Sequence, residues 1–343
     1  MDRLPVIDVS PLRTDYDLTS AAAREVAGRI DAACRDHGFL LITGHGVDRN
    51  SQERLFQAAR RFFALPEERK VRVSMDRGGR AWRGWFPLEG ELTSGHPDHK
   101  EGLYLGEDLR PKDPLVQAGY PLHGPNLLPD DDLPELRPAV DDWLSAMTDL
   151  GHLLVRAFGV GLGLGPEWFD THLTGRPTIL MRLFRYPTVA PTPGDDGTKP
   201  RLGVGEHTDY GLLTILAHDG RPGLQVHTRN GWIDVASVDG SFVVNLGDMI
   251  DRMTGGRYRS TPHRVRTVEG PPGSPDRISV PFFFDPAWDA EVQPLPLRGE
   301  RPADDAAQRW DRSSVHDWRG TYGDYLTAKV AKVFPQLGAD VLP

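Results

Sequence analysis

Two kinds of apolar patterning divide the chain. In the first half, apolar residues recur at helical spacing: Val26, Ile30 and the Ala33–Cys34 pair share one stripe of a helix predicted over 20–37, and Gly38 stops it. Leu55, Phe56, Ala59, Phe62 and Phe63 form a second stripe from Ser51 to the break at Pro66. Between them, residues 39–42 are apolar without interruption and end at Gly44 and Gly46, as a buried strand does. Residues 4–9 alternate enough for an edge strand. A third helix is expected over about 134–158, either continuous or as two merging at Gly151. An amphipathic helix is expected over 322–334. Residues 71–129 are turn-rich and give no clear elements.

From Thr178 the character changes to short, β-prone apolar runs at 179–186, 202–207, 212–218, 224–227, 241–246, 263–268 and 277–284, separated by turn residues. Residues 190–200, rich in Pro, Gly and Asp, read as an exposed loop. The sequence shows no internal repeat.

Composition narrows the classes. The 343 residues suit one large domain or a domain with an N-terminal extension, and 37 Gly with 30 Pro suit many short elements. A net charge of −9 without a basic block argues against a nucleic-acid partner. The N-terminus lacks the basic start and apolar core of a signal peptide. No apolar run approaches the ~20 residues of a membrane helix. A cytoplasmic protein with no membrane partner is expected, and no oligomer is implied. Cys34 is the only cysteine, which leaves no internal disulfide, thiolate zinc site or iron–sulfur cluster.

The candidate chemistry lies in His207-Thr208-Asp209, followed by His263 and then by Arg277-Ile278-Ser279. Two imidazoles and a carboxylate are the ligand set of non-haem Fe(II) oxygenases. The triplet alone is weak, since His96/Asp98 and His99/Glu101 repeat it. Context favours the third copy. The segment reads as two strand-like runs joined at Gly211, and residues i and i+2 of a strand share a face, so His207 and Asp209 are expected to face one ion. Short strands carrying such a set suggest an α+β chain with a mainly β core, a double-stranded β-helix (cupin-like jelly roll) flanked by helices. Four segments are expected: an N-terminal α/β region at 1–130, a helical connection at 131–175, the jelly-roll core at 176–290 and a C-terminal extension with a helix at 291–343.

The chain resembles the isopenicillin-N-synthase-like family of Fe(II)- and 2-oxoglutarate-dependent oxygenases over most of its length. The resemblance is carried by Leu-Pro-Val-Ile-Asp-Val-Ser, Asp-His-Gly-Phe-Leu-Leu-Ile-Thr-Gly-His-Gly-Val and Phe-Phe-Ala-Leu-Pro in the N-terminal part. In the second half it is carried by Met181–Pro187, His-Thr-Asp-Tyr-Gly-Leu-Leu-Thr, Asn245-Leu-Gly-Asp248, Ser260-Thr-Pro-His-Arg-Val and Arg-Ile-Ser-Val-Pro-Phe-Phe. It implies that His207, Asp209 and His263 bind Fe(II), and that Arg277 and Ser279 hold the distal carboxylate of 2-oxoglutarate. Tyr186 matches a family tyrosine near the cosubstrate or substrate, and Arg182, on the same strand face, could reach an acid group there. The implied activity couples oxidative decarboxylation of 2-oxoglutarate, with O2, to oxidation of a small molecule such as an amino acid or specialised metabolite. Hydroxylation is the default outcome, with desaturation or cyclisation as variants.

Two features depart from the pattern. Arg277 follows His263 by 14 residues, longer than usual, with Gly-Pro-Pro-Gly-Ser-Pro as the extra loop. Gly119–Pro125 and Met253-Thr-Gly-Gly also resemble the bacterial ethylene-forming enzyme, whose branch handles 2-oxoglutarate and arginine; Ser279 favours an ordinary oxygenase. A 2-oxoglutarate-independent oxidase, a metallohydrolase and a non-catalytic sensor are the competing classes. No His-Glu-x-x-His helix supports the hydrolase. His45, His123, His218, His227 and His316 read as ordinary polar residues, and Asn245 and Asp248 as turn or supporting groups. His96, His99 and Glu101 read as loop surface, with Lys100 and Tyr104 as candidate lining of a substrate opening. Trp82 and Trp85 either cover the site or pack the core.

Overall fold

The computed structural model describes residues 3–93, 95–191, 201–271, 273–297, 299 and 314–334. The loop expected at 190–200 lies almost wholly outside them. The first strand, β1 (Val6–Asp8), leads through α1 (Ser10–Thr14) to α2 (Ala21–Asp36), which Ser20 caps by accepting from the Ala23 amide. After β2 (Phe39–Thr43) comes α3 (Arg49–Phe63). It starts two residues before the expected Ser51, because the Asp48 carboxylate takes the amides of Asn50 and Ser51. The turn-rich stretch holds α4 (Glu67–Lys70), β3 (Gly84–Phe86), the short pair β4 (Leu92–Thr93) and β5 (His96–Pro97), then β6 (Glu101–Gly106) and α5 (Pro114–Gln117).

Helix α6 (Leu136–Gly161) is continuous. Gly151 does not break it. A Cβ there would meet Phe284 Cδ2 at 2.3 Å, so the glycine lets the helix press against the sheet. After α7 (Trp168–His172) the strands β7 (Thr178–Tyr186), β8 (Thr188–Val189), β9 (Leu202–His207), β10 (Leu213–His218), β11 (Leu224–Thr228), β12 (Gly231–Asp234) and β13 (Phe242–Leu246) follow. The chain continues with α8 (Asp248–Thr254), β14 (His263–Arg266), β15 (Val268–Glu269), β16 (Arg277–Asp285) and α9 (Tyr322–Val333).

Apart from the two-stranded pairs β8–β15 and β4–β5, these strands build two sheets, the double-stranded β-helix expected from the sequence. The larger has the order β1-β2-β13-β10-β16-β7-β6-β3, and the smaller β12-β11-β14-β9. The N-terminal region thus supplies β1, β2, β3 and β6 to the same sheet as the later strands. Alternation explains the uninterrupted apolar runs, because this sheet is covered on both faces. Leu40 and Ile42 of β2 join the core beneath the helices, while Phe39 and Leu41 face the smaller sheet. Trp82 and Trp85 are buried in the helix-side core, so they pack and do not cover the site.

Glu101 departs from expectation. It is 3% exposed on β6 and not on a loop surface. Lys70 Nζ (2.8 Å), Trp85 Nε1 (2.8 Å) and the Arg185 guanidinium all donate to its carboxylate. A buried carboxylate needs such partners. His96 is exposed as expected. No helix among the described residues is long and apolar enough to cross a membrane.

Candidate active site

Strand alternation sends one face of each core strand into a cavity of about 340 Å³ between the sheets. β16 contributes Arg277, Ser279, Pro281, Phe283 and Asp285; β7 contributes Leu180, Arg182, Phe184 and Tyr186. All seven residues singled out in the sequence line this cavity. Their separation along the chain is removed by register: His263 pairs with His207 across β14 and β9, and Arg277 with Tyr186 across β16 and β7.

One candidate ligand atom from each of His207, Asp209 and His263 lies within 4.8 Å of the other two. The Nε2 atoms of His207 and His263 are 3.9 and 3.7 Å from Asp209 Oδ1. Each ring has its Nδ1 against a backbone carbonyl, Gly205 O at 2.8 Å and Thr261 O at 3.2 Å. A carbonyl only accepts, so Nδ1 carries the proton and the Nε2 lone pair is left for an ion. The second carboxylate oxygen, Asp209 Oδ2, accepts from Thr214 Oγ1 (2.5 Å) and Asn245 Nδ2 (2.7 Å), which turns Oδ1 toward the imidazoles. Burial opposes the Asp209 charge, and the two hydrogen bonds to Oδ2 favour it. Burial, reinforced by His207, drives His263 down to about 4, which keeps its ring neutral. Asn245 is therefore the supporting group the sequence suggested. Thr214 was not singled out; it stands across from Asn245 in the β10–β13 pair, a neighbourhood that only the fold creates.

Arg277 is 1% exposed, and its Nη1 has no hydrogen-bond partner. Its Nε reaches only the Arg221 carbonyl at 3.4 Å, and the guanidinium lies 4.9 Å from the centre of the Tyr186 ring. His218 beside it adds no second charge, since burial and the Arg277 cation push that imidazole down to about 4. Ser279 is 2% exposed and lines the same wall of the cavity as Tyr186. A buried guanidinium with one nitrogen unpartnered, next to a hydroxyl, has the donors and the charge that a carboxylate pairs with.

Arg182 stands at the other end of the β7 face. Its guanidinium lies 3.5 Å from the Tyr104 ring centre, and its Nη1 donates to the Met181 carbonyl at 3.1 Å. Glu91, which the sequence did not reveal, also lines the cavity. Its carboxylate lies 2.8 Å from Lys100 Nζ and accepts from the Tyr104 hydroxyl. Burial alone would raise the Glu91 carboxyl, but Lys100 and these hydrogen bonds prevail and hold it below its ordinary value. Glu91 sits in a turn, where no periodicity marks it. Lys100 and Tyr104 line the cavity, as the sequence allowed. The outer wall is α9, through Leu326, Lys329, Val330, Val333 and Phe334 just beyond its end.

Residues 4–131 match the model of the non-haem dioxygenase in morphine synthesis N-terminal region, and residues 178–286 match that of the 2OG-Fe(II) oxygenase superfamily. The chain is 41% identical over 360 residues to a "Probable iron/ascorbate oxidoreductase" of Dictyostelium discoideum, covering 100% of this chain and 98% of that protein. It is 33% identical over 340 residues to a homoarginine-6-hydroxylase of Glycine max, covering 97% and 98%. Among solved structures, a full-length Neurospora crassa protein in complex with alpha-KG superimposes with a TM-score of 0.74 at 27% identity, covering 96% of each chain. The same Neurospora protein has been solved with alpha-KG and thymine. The fold, the two family matches along the chain and the clustered His-Asp-His set agree: the chain belongs to the isopenicillin-N-synthase-like 2OG-Fe(II) oxygenases and is a non-haem dioxygenase that uses Fe(II), 2-oxoglutarate and O2.

Proposed function

We propose that His207, Asp209 and His263 hold the Fe(II), that Arg277 and Ser279 bind the distal carboxylate of 2-oxoglutarate beside Tyr186, and that the primary substrate is an amino acid with a basic side chain. The observation that carries the cosubstrate assignment is the buried Arg277 Nη1 without a partner. An anion entering the cavity would satisfy both the donor and the charge, and the charge-assisted pair would fix the cosubstrate's orientation. Arg182 lies well before Tyr186, the cross-strand partner of Arg277, at roughly 13 Å along the strand for ~3.3 Å per residue. The two guanidiniums therefore serve different groups, and Arg182 belongs to the substrate end.

When bound, the Fe(II), O2 and 2-oxoglutarate together supply the oxidising power, releasing succinate and CO2. The chain's own residues do the rest. Thr214 and Asn245 hold the unused oxygen of Asp209, so the ligand face keeps one orientation. Phe184, Phe283 and the apolar residues of α9 exclude water from the reacting carbon. Glu91, kept ionised at the cavity wall, offers a partner for a guanidinium or ammonium group, while Lys329 and Lys332 on α9 offer partners for a carboxylate. A zwitterion with a second cationic group matches that division. The likeness to a homoarginine-6-hydroxylase supports the same class. A working site for Fe(II) also favours a reducing compartment, and we assign the enzyme to the cytoplasm on that ground.

The test is oxygen uptake and succinate formation with a panel of amino acids and free pyrimidines. Basic amino acids should raise turnover above the substrate-free rate and yield an oxidised product. Stimulation by thymine with none by arginine, homoarginine or lysine would overturn the substrate class and leave the oxygenase assignment standing.

A further inference from the structure

The turn that carries Asp209 is held from two sides, and both supports end on the same distant helix. At its start, the Asp248 amide donates to the Asp209 carbonyl at 2.7 Å. The Met249 amide follows, donating to the Tyr210 and Gly211 carbonyls at 3.2 and 3.1 Å. At the end of the turn, the Leu212 amide donates to Asp285 Oδ1 at 3.0 Å. The fit is tight, since a Cβ on Gly211 would fall 1.4 Å from that oxygen. Asp248 and Asp285 are 0% and 3% exposed; Asp248, which holds the turn by its amide, has a carboxylate oxygen engaged by α9, and Asp285 has its second oxygen engaged there. The Tyr325 hydroxyl donates to Asp248 Oδ2 at 2.7 Å, and the Tyr322 hydroxyl to Asp285 Oδ2 at 2.5 Å.

Both phenols come from the first turn of α9, where a Thr321–Asp324 capping box fixes the start of the helix. One turn later the same helix supplies Leu326, Lys329, Val330 and Val333 to the cavity wall. Lys329 also lies 3.6 Å from Asp248 Oδ2 and 5.6 Å from the Tyr210 ring centre. The wall that would touch substrate and the turn that bears Asp209 are thus joined by two hydrogen-bonded relays, Tyr325–Asp248–Asp209 and Tyr322–Asp285–Leu212.

We propose that Tyr322 and Tyr325 are positioning residues that tie the α9 wall of the pocket to the Asp209 turn, so that order at the metal site depends on α9 being seated. This rests on the assignment of Asp209 as a ligand. Without the phenols the carboxylates of Asp248 and Asp285 lose a buried donor, and the turn loses the groups that keep those carboxylates in place. Partners of metal ligands commonly contribute about 10- to 100-fold to affinity, and these relays act one bond further out. Roughly a fivefold weakening per tether is the expected size.

The experiment uses full-length protein with Tyr322→Phe and Tyr325→Phe, which remove one oxygen each and keep the rings. Mn(II) binding is followed by electron paramagnetic resonance without cosubstrate, and the product-to-succinate ratio is measured separately. Each single variant should bind Mn(II) more weakly and form more succinate per product, because a loosened wall admits unproductive turnover. Tyr258→Phe is the control: its hydroxyl also donates to a buried carboxylate, Asp31 at 2.9 Å, but on the helix side of the sheet. It should lower thermal stability and leave Mn(II) affinity alone. Unchanged Mn(II) affinity in both α9 variants, with thermal stability lowered as in Tyr258→Phe, would reduce the tethers to structural contacts. Native protein that takes up no Mn(II) would instead overturn the ligand assignment, and this inference with it.

Discussion

Replacing Arg277 by Ala separates two consequences that usually travel together. In the ligand-free protein the guanidinium is a buried cation, 1% exposed, with one nitrogen unpartnered and its Nε held only by a long contact to the Arg221 carbonyl. Removing it forfeits that contact and the face of Tyr186, but also the cost of burying a charge. Folding stability should change little. Cosubstrate binding should change greatly. The distal carboxylate would enter a pocket that no longer offers a cation, and a buried charge deprived of its partner costs about 2–5 kcal/mol. At 1.4 kcal/mol per factor of ten, the dissociation constant should rise by about 30- to 3,000-fold. Anaerobic titration of the Fe(II) protein with 2-oxoglutarate, followed by visible absorption, measures this directly. Thermal melting of the metal-free protein measures the other half. An unchanged 2-oxoglutarate affinity would remove Arg277 from the role, and a collapse in melting temperature would show that its part is structural.

Three further outcomes follow from the same geometry. Asn245→Ala leaves Asp209 Oδ2 with one donor in place of two, and chelator competition should find metal held about 10- to 100-fold more weakly. Glu91→Gln keeps the shape and loses the charge; with a cationic substrate KM should rise by about 10- to 150-fold, the value of a charged hydrogen bond, while substrate-free succinate formation stays the same. Asp285 is pushed up by burial to about 7. Between the ordinary value of 3.8 and about 7 the folded chain therefore holds a proton that the unfolded chain has lost. Stability should fall as pH rises through that window, by up to about 1.4 kcal/mol per unit, and level off above it. Urea midpoints from pH 5 to pH 8 should show this slope in the native protein and a shallower one in Asp285→Asn.

The local signals were those with a short period. Alternation along residues 277–284 already placed Arg277 and Ser279 on one face, and the structure extends that face through Pro281 and Phe283 to Asp285. Helical spacing found α2, α3, α6 and α9 to within a few residues. Where the reading slipped, the reason was tertiary. The sequence leaves Gly151 open as a joint or as part of one helix; what decides is that α6 meets Phe284 there. Glu101 looked like surface because nothing nearby in sequence says that Lys70 and Arg185 arrive to pair with it.

The sequence by itself determined which side chains share a strand face, because side-chain direction in a strand depends only on the parity of position. It thereby put Arg277 beside Ser279, whereas Asp209 lies past the end of β9, in a turn that the fold brings back to His207. Only the tertiary structure decided that His263 stands across from His207, that Arg277 meets Tyr186, and that Glu91 and α9 close the other walls. Many strand neighbours in this fold are not neighbours in sequence: β10 lies between β13 and β16, and β14 between β11 and β9. That order is fixed by burying both faces of the larger sheet at once, a condition on the whole chain that no local window contains.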